Sequence, residues 1–141
     1  MYKRQVYNSP TYLAELGYAH LNLGEYDKAL EYYKKAQENR SNVAADESGN
    51  PRAPVNFDNM IGITYFRMGN YDEAEKALQN ALKFNKLDPL ANFAMGEIAM
   101  KRGNYTQAAD YFKTVATVPG YEEKVKKYYA EIEQKLFAGI S

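Results

Sequence analysis

Cysteine and tryptophan are both absent from this 141-residue sequence, and histidine occurs once, as His20. Without cysteine there is no disulfide, no thiolate nucleophile and no sulfur ligand, and the redox compartment leaves no trace in the chain. One histidine cannot assemble the His/Cys/Asp clusters that hold a transition metal. Lying on an otherwise apolar helical stretch, it reads as a packing residue rather than a base. Charge of one sign is also missing: 18 basic residues face 18 acidic ones, for a formal net charge of zero. No basic excess therefore recommends nucleic acid or an acidic membrane as a partner. No apolar run approaches the ~20 residues needed to insert a helix in a bilayer. No glycine-rich loop leads into a helix in phosphate-binding form. The acidic pair Glu122 and Glu123 stands at a helix start, where the helix dipole favours it, and the lysines of 124–127 are balanced by nearby glutamates. "DESGN" (46–50) lacks the alternating oxygen ligands of a calcium loop. The reading is of a segment with no catalytic residues, no metal and no cofactor, and not an enzyme.

What the sequence does contain is one phrase written three times. "GEYDKALEYY" begins at Gly24, "GNYDEAEKAL" at Gly69 and "GNYTQAADYF" at Gly103. The second and third are 34 residues apart, and the first and second 45, which is one such step plus an insertion of 11. Seven residues before each phrase glycine lies another, Gly17, Gly62 and Gly96, each after a large apolar residue (Leu16, Ile61, Met95). Downstream follow Ala29, Ala74 and Ala108, then Tyr33, Leu78 and Phe112, then Ala36, Ala81 and Val115.

Steps of three, four and seven place one residue set on one helical face. The phrase glycine suits the left-handed residue that ends a helix. Asp27, Asp72 and Thr106 then offer a capping oxygen or a favourable first-turn group to the next helix. Each unit is thus a helix, a tight turn and a second helix. Gly17, Gly62 and Gly96 fall inside helices, where glycine costs about 1 kcal/mol against alanine. Three equal penalties imply a common cause, a close crossing of the two helices with the small alanines opposite.

"ELGYAHLNLGEYDKALEYYKKA", "MIGITYFRMGNYDEAEKALQNAL" and "AMGEIAMKRGNYTQAADYFKTV" resemble the tetratricopeptide repeat family, a 34-residue helix–turn–helix unit, over residues 10–120. There are departures. The family's early Trp place holds Leu13, Asp58 and Asn92; its Tyr between the glycines is His20, Tyr65 and Ala99; its closing Pro is Ser41, Lys86 and Gly120. The fold that follows is all-α, an alpha-alpha superhelix or helix–turn–helix repeat solenoid of about seven helices.

The expected helices are 10–23 and 27–39, 55–68 and 72–85, and 89–102 and 106–117, giving units 10–41, 55–88 and 89–120 with an inserted loop near 42–54. Ser9 and Pro10 read as the first helix start. Val125, Tyr128, Tyr129, Ile132 and Leu136 form a stripe backed by charge, so residues 121–138 read as a polar-backed capping helix. Residues 1–9 read as a tail. Its "MYKRQ" is either an ordinary polar start or partly a translated sequencing adaptor, since the adaptor bases TAT AAG AGA CAG encode Tyr-Lys-Arg-Gln. On the first reading the chain is cytoplasmic. On the second, an exported or envelope-associated location stays open.

The resemblance implies a concave face lined by each unit's first helix and taken by a protein or peptide partner. Ala14, Tyr18, Leu21 and Asn22 in the first unit, Asn59, Ile63, Phe66 and Arg67 in the second, and Phe93, Glu97, Met100 and Lys101 in the third are the expected lining. Family members that grip a chaperone's C-terminal carboxylate carry Lys and Asn where Ala14 and Tyr18 stand, so that activity is not carried over. The aromatics and Met of this face suit an extended or helical apolar segment lying in the groove. Two alternatives stand beside it. The chain is a stacking or self-associating unit, or an accessory domain of a larger protein; and the C-terminal helix covers the groove itself.

Overall fold

The computed structural model describes residues 9–39 and 56–138. Within them the chain forms α1 (Pro10–Asn22), α2 (Tyr26–Glu38), α3 (Asp58–Met68), α4 (Tyr71–Phe84), α5 (Pro89–Lys101), α6 (Tyr105–Val115) and α7 (Glu122–Ala138), with no strand among the described residues. None of these helices is long and apolar enough to cross a membrane. The expected insertion loop, residues 1–8 of the tail and the start of the expected helix at 55 lie outside the described residues.

Three turns repeat one geometry. Gly24, Gly69 and Gly103 have φ of 78°, 84° and 76°, a region open to glycine. The N–H of the residue after each glycine reaches back five residues, Glu25 to His20 O, Asn70 to Tyr65 O and Asn104 to Ala99 O, at 2.8–2.9 Å. Each glycine's own N–H reaches back three. The pair of bonds satisfies the carbonyls left over at the end of the first helix and fixes the angle at which the second departs. The second helices then start without a side-chain cap. Asp27 and Asp72 therefore act as first-turn charges rather than as caps, and Thr106 adds no cap bond. Side-chain caps appear instead where units begin: Ser9 accepts from the Tyr12 N–H at 3.1 Å, and Asp88 from the Leu90 N–H at 3.1 Å, each just before a proline. α3 starts differently. Its preceding Phe57 N–H donates to Gln37 Oε1 of α2 at 2.8 Å, which ties the second unit to the first.

The mid-helix glycines are holes that the partner helix fills. A Cβ on Gly62 would sit 2.5 Å from Leu78, one on Gly96 2.5 Å from Phe112, and one on Gly17 3.0 Å from the Tyr33 ring. The close crossing is as expected, but what occupies it is the large residue of α2, α4 or α6 rather than the small alanines. Tyr33, Leu78 and Phe112 are at most 1% exposed as a result. Burial of such side chains stabilises by about 1.5–3 kcal/mol each, and dense interdigitation gives the pair one geometry.

Units stack through three clusters. Leu21, Leu30 and Tyr33 meet Ile61 and Ala77 between units one and two; Leu78 and Ala81 meet Ala91, Met95 and Ile98 between two and three; Phe112 and Val115 meet Val125 and Ile132 of α7. Val125 and Ile132 lie one 34-residue step after Ala91 and Ile98, so α7 docks as the first helix of a further unit would. Its stripe is only half used, however. Tyr129 and Leu136 remain 36% and 48% exposed, and Phe137 beside them is 60% exposed. The reason is geometric: α6 covers one ridge of α7, and among the described residues no second helix follows to cover the next.

Candidate functional site

The first helices α1, α3 and α5 carry the candidate residues, and the structure sorts them. Leu21 is 2% exposed and belongs to the core between the first two units, so its side chain faces no partner. The repeat puts it in register with Phe66 and Met100, which keep partial exposure; α2 and α3 close over Leu21 alone. Tyr18 is 55% exposed, and Asn22, Arg67 and Lys101 are exposed too. Ala14, Asn59, Ile63, Phe66, Phe93, Glu97 and Met100 are half-buried. Ile63 bridges the first two clusters, and Phe66 packs on Tyr71 with ring centroids 5.5 Å apart. Asn59 accepts from the Met60 N–H and so is spent locally.

At the C-terminal end the face is shared with α7. Phe93 meets Phe112, Tyr121 and Tyr128 at centroid distances of 5.4, 5.3 and 5.8 Å, and Tyr128 stacks on Phe112 at 4.6 Å. Tyr128 Oη donates to Glu97 Oε2 at 2.8 Å. Coverage by the C-terminal helix is thus real at Phe93 and Glu97 but does not reach Tyr18. Between α5 and α7 remains a cleft of about 350 Å³ lined by Phe93, Glu97, Lys124, Lys127, Tyr128 and Glu131. The α7 contributors escaped the sequence reading because α7 lacks the repeat's glycines. The available signal was the 34-residue step, which sets Lys127 on Phe93 and Glu131 on Glu97.

Electrostatics follow from this packing. Burial raises the Glu97 carboxyl above its ordinary value, opposed by the Tyr128 hydrogen bond and by Lys124, Lys101 and Arg67. Burial and the adjoining Glu97 carboxylate push the Tyr128 phenol well above the usual range. Tyr33, in the first unit, is pushed up to about 12, chiefly by burial, with Tyr18 adding and Arg67 opposing. Its Oη is buried and finds no hydrogen-bond partner among the described residues. Arg67, in the last turn of α3, opposes both shifts electrostatically.

His20 stacks on Tyr32 at 5.2 Å and its Nδ1 lies 2.8 Å from Glu25, lowering the Glu25 pKa, an arrangement that closes the first turn and presents no nucleophile. Among the described residues no group of three or more His, Cys, Asp or Glu side chains could hold a metal ion.

Known proteins match along the same stretch. A family model described as a tetratricopeptide repeat matches residues 10–42, and a second of the same description matches residues 59–122. The "BBSome complex member BBS4" of Bos taurus is 31% identical over 103 residues, 72% of this chain and 17% of that protein. The chain therefore spans under a fifth of that relative's length.

Proposed function

Since the chain belongs to the tetratricopeptide repeat family, whose members are protein-interaction modules, we propose that its concave first-helix face receives an extended or helical segment of a partner protein. One observation carries this reading. Tyr33, Leu78 and Phe112 on the second helices are fully buried, whereas Tyr18, Ile63, Phe66 and Phe93 on successive first helices keep part of their surface. Apolar and aromatic surface left in a row across packed helices is a surface another chain can still bury. The relative is named as a member of a complex, which suits the same reading.

The test is selection of binders from a library of random 12-residue peptides, followed by NMR shift mapping on the labelled chain. Shifts at Tyr18, Ile63 and Phe66 are expected, and binding should be lost in Tyr18→Asp, a variant whose exposed site leaves the fold intact. Selected peptides that shift only the second helices would overturn the reading.

A second reading, end-to-end association through α7, is favoured by the exposure of Tyr129, Leu136 and Phe137. It predicts a light-scattering mass that rises with concentration and returns to the monomer value in Phe137→Asp. A peptide binder with a solvated end stays monomeric throughout.

A further inference from the structure

α7 docks where the first helix of a further unit would, yet its outer face is not built to receive a second helix. One 34-residue step carries Gly96 onto Ala130. At Gly62 and Gly96 a Cβ would lie 2.5 Å from the large residue of the second helix, so the Ala130 side chain closes the hole in which that residue sits. The same step carries Asn92 and Ala99, 5% and 4% exposed, onto Lys126 and Glu133. A second helix laid there would bury two charges about 10 Å apart along the axis, beyond ion-pair distance. The face is instead open: Lys126, Tyr129, Ala130, Glu133 and Phe137 are all exposed. Lys126 has only Glu123, at 4.0 Å with the two side chains 78% and 85% exposed, a contact of little strength. Glu133 forms no ion pair among the described residues.

We propose that this face pairs with itself: α7 of one copy packs antiparallel on α7 of a second copy, about a two-fold axis beside Tyr129 and Ala130. Lys126, Tyr129, Ala130 and Glu133 stand at i, i+3, i+4 and i+7, one patch of a helical face with its midpoint between 129 and 130. An antiparallel two-fold at that midpoint exchanges the two ends of the patch. Lys126 of each copy then meets Glu133 of the other, so the ion pair forms twice. Tyr129 meets its own copy, as does Ala130, whose small side chain lets the helices approach closely. A parallel two-fold would set lysine on lysine and glutamate on glutamate, which like-charge repulsion rejects. Leu136 and Phe137 lie against the first turn of the other α7, so pairing covers apolar side chains that a single chain leaves in water. The inference deepens the second reading above, association through α7, and rests on it. It commits that association to a closed dimer. Head-to-tail growth into a longer superhelix needs a second helix on α7, and Ala130, Lys126 and Glu133 reject one.

The chain has no cysteine, so single introduced cysteines report the geometry. Under mild oxidation A130C, at an exposed site beside the axis, is expected to link into a covalent dimer. F137C lies about 20 Å from its own copy under the same symmetry and should stay unlinked. Light scattering on the parent chain should show a mass that rises with concentration and levels at twice the monomer value. E133K sets lysine against lysine twice per dimer and should weaken the dimer Kd about tenfold or more; K126E/E133K restores both pairs and should return it to within about threefold of the parent. All these sites are exposed, and circular dichroism checks that each variant folds. A mass that grows past the dimer, a dimer in which A130C fails to link, or an E133K defect that K126E does not rescue would sink this inference and leave association through α7 standing on its Phe137→Asp response. A monomer at every concentration up to about 1 mM would remove both.

Discussion

The junction between units two and three and the junction between units one and two use the same repeat positions and differ in what fills them. In the former, Arg102 at the end of α5 bridges Glu75 and, at 2.6 Å, Asp72 of α4, and α3 packs against α5. In the latter, one step earlier, Met68 stands for Arg102 and Leu30 for Glu75, and α1 and α3 have no comparable packing. A cleft of about 580 Å³ lined by Asp27, Arg67 and Met68 opens there instead. The linkers differ likewise: residues 85–88 join the second unit to the third, and residues 39–57 the first to the second. A short linker and an ion-pair clamp hold one junction closed. The other junction lacks the clamp and the contact between first helices, and beside it Tyr33 Oη goes unsatisfied. Repeat stability is roughly the sum of unit and junction terms, so the first junction is expected to open first, with faster amide exchange in α1 and α2 than in α5 and α6 as the check.

The largest expected effect breaks the tight end. Phe112 is 0% exposed, fills the hole at Gly96 and stacks on Tyr128, so Phe112→Ala should cost about 3–5 kcal/mol in denaturant melts and release α7. Next, the two ends are compared through their glycines. Gly96→Ala sets a Cβ 2.5 Å from a buried ring and should cost about 1–3 kcal/mol, less the helix-propensity gain. Gly17→Ala at 3.0 Å should be close to neutral, and equal costs would show that the first pair is packed as tightly as the third. Arg102→Met makes the second junction resemble the first. With partners 91% and 30% exposed, its loss should be under about 1 kcal/mol and should vanish in high salt. Tyr33→Phe sharpens the contrast from the loose side, since removing an unpaired hydroxyl should leave thermal stability unchanged or raised by up to about 1 kcal/mol.

The smallest effect concerns pH. Glu97 has a folded pKa above its ordinary 4.5, so the folded state holds this proton more tightly than the unfolded one. Its contribution is fully present below about pH 4.5 and is lost as pH rises through the folded value. Glu97→Gln should flatten that part of the stability–pH curve. An unchanged curve would mean that the Tyr128 bond and the surrounding cations offset burial entirely.

The periodicity made six of the seven helices, their order and their turns readable, because a glycine with positive φ and a 3.6-residue apolar face are local requirements that each unit must state for itself. α7 was readable from its stripe, but its exposed side was not, since exposure depends on whether another helix follows. The candidate face was readable as a set of positions. Which of them stay open was not: Leu21 is in register with Phe66 and Met100, yet α2 and α3 together bury it. Lys124, Lys127 and Tyr128 reach Phe93 and Glu97 through a contact between α5 and α7 that no local pattern encodes.

The sequence by itself thus determined the unit, its handed turn and its number of copies, all consequences of short-range sterics and apolar spacing. Only the tertiary structure decided which junction carries an ion-pair clamp, which first-helix residues keep their surface, and which side chains of α7 reach Phe93 and Glu97. Those properties come from side chains far apart in the chain, and their energies depend on burial and distance, which exist only once the units have stacked.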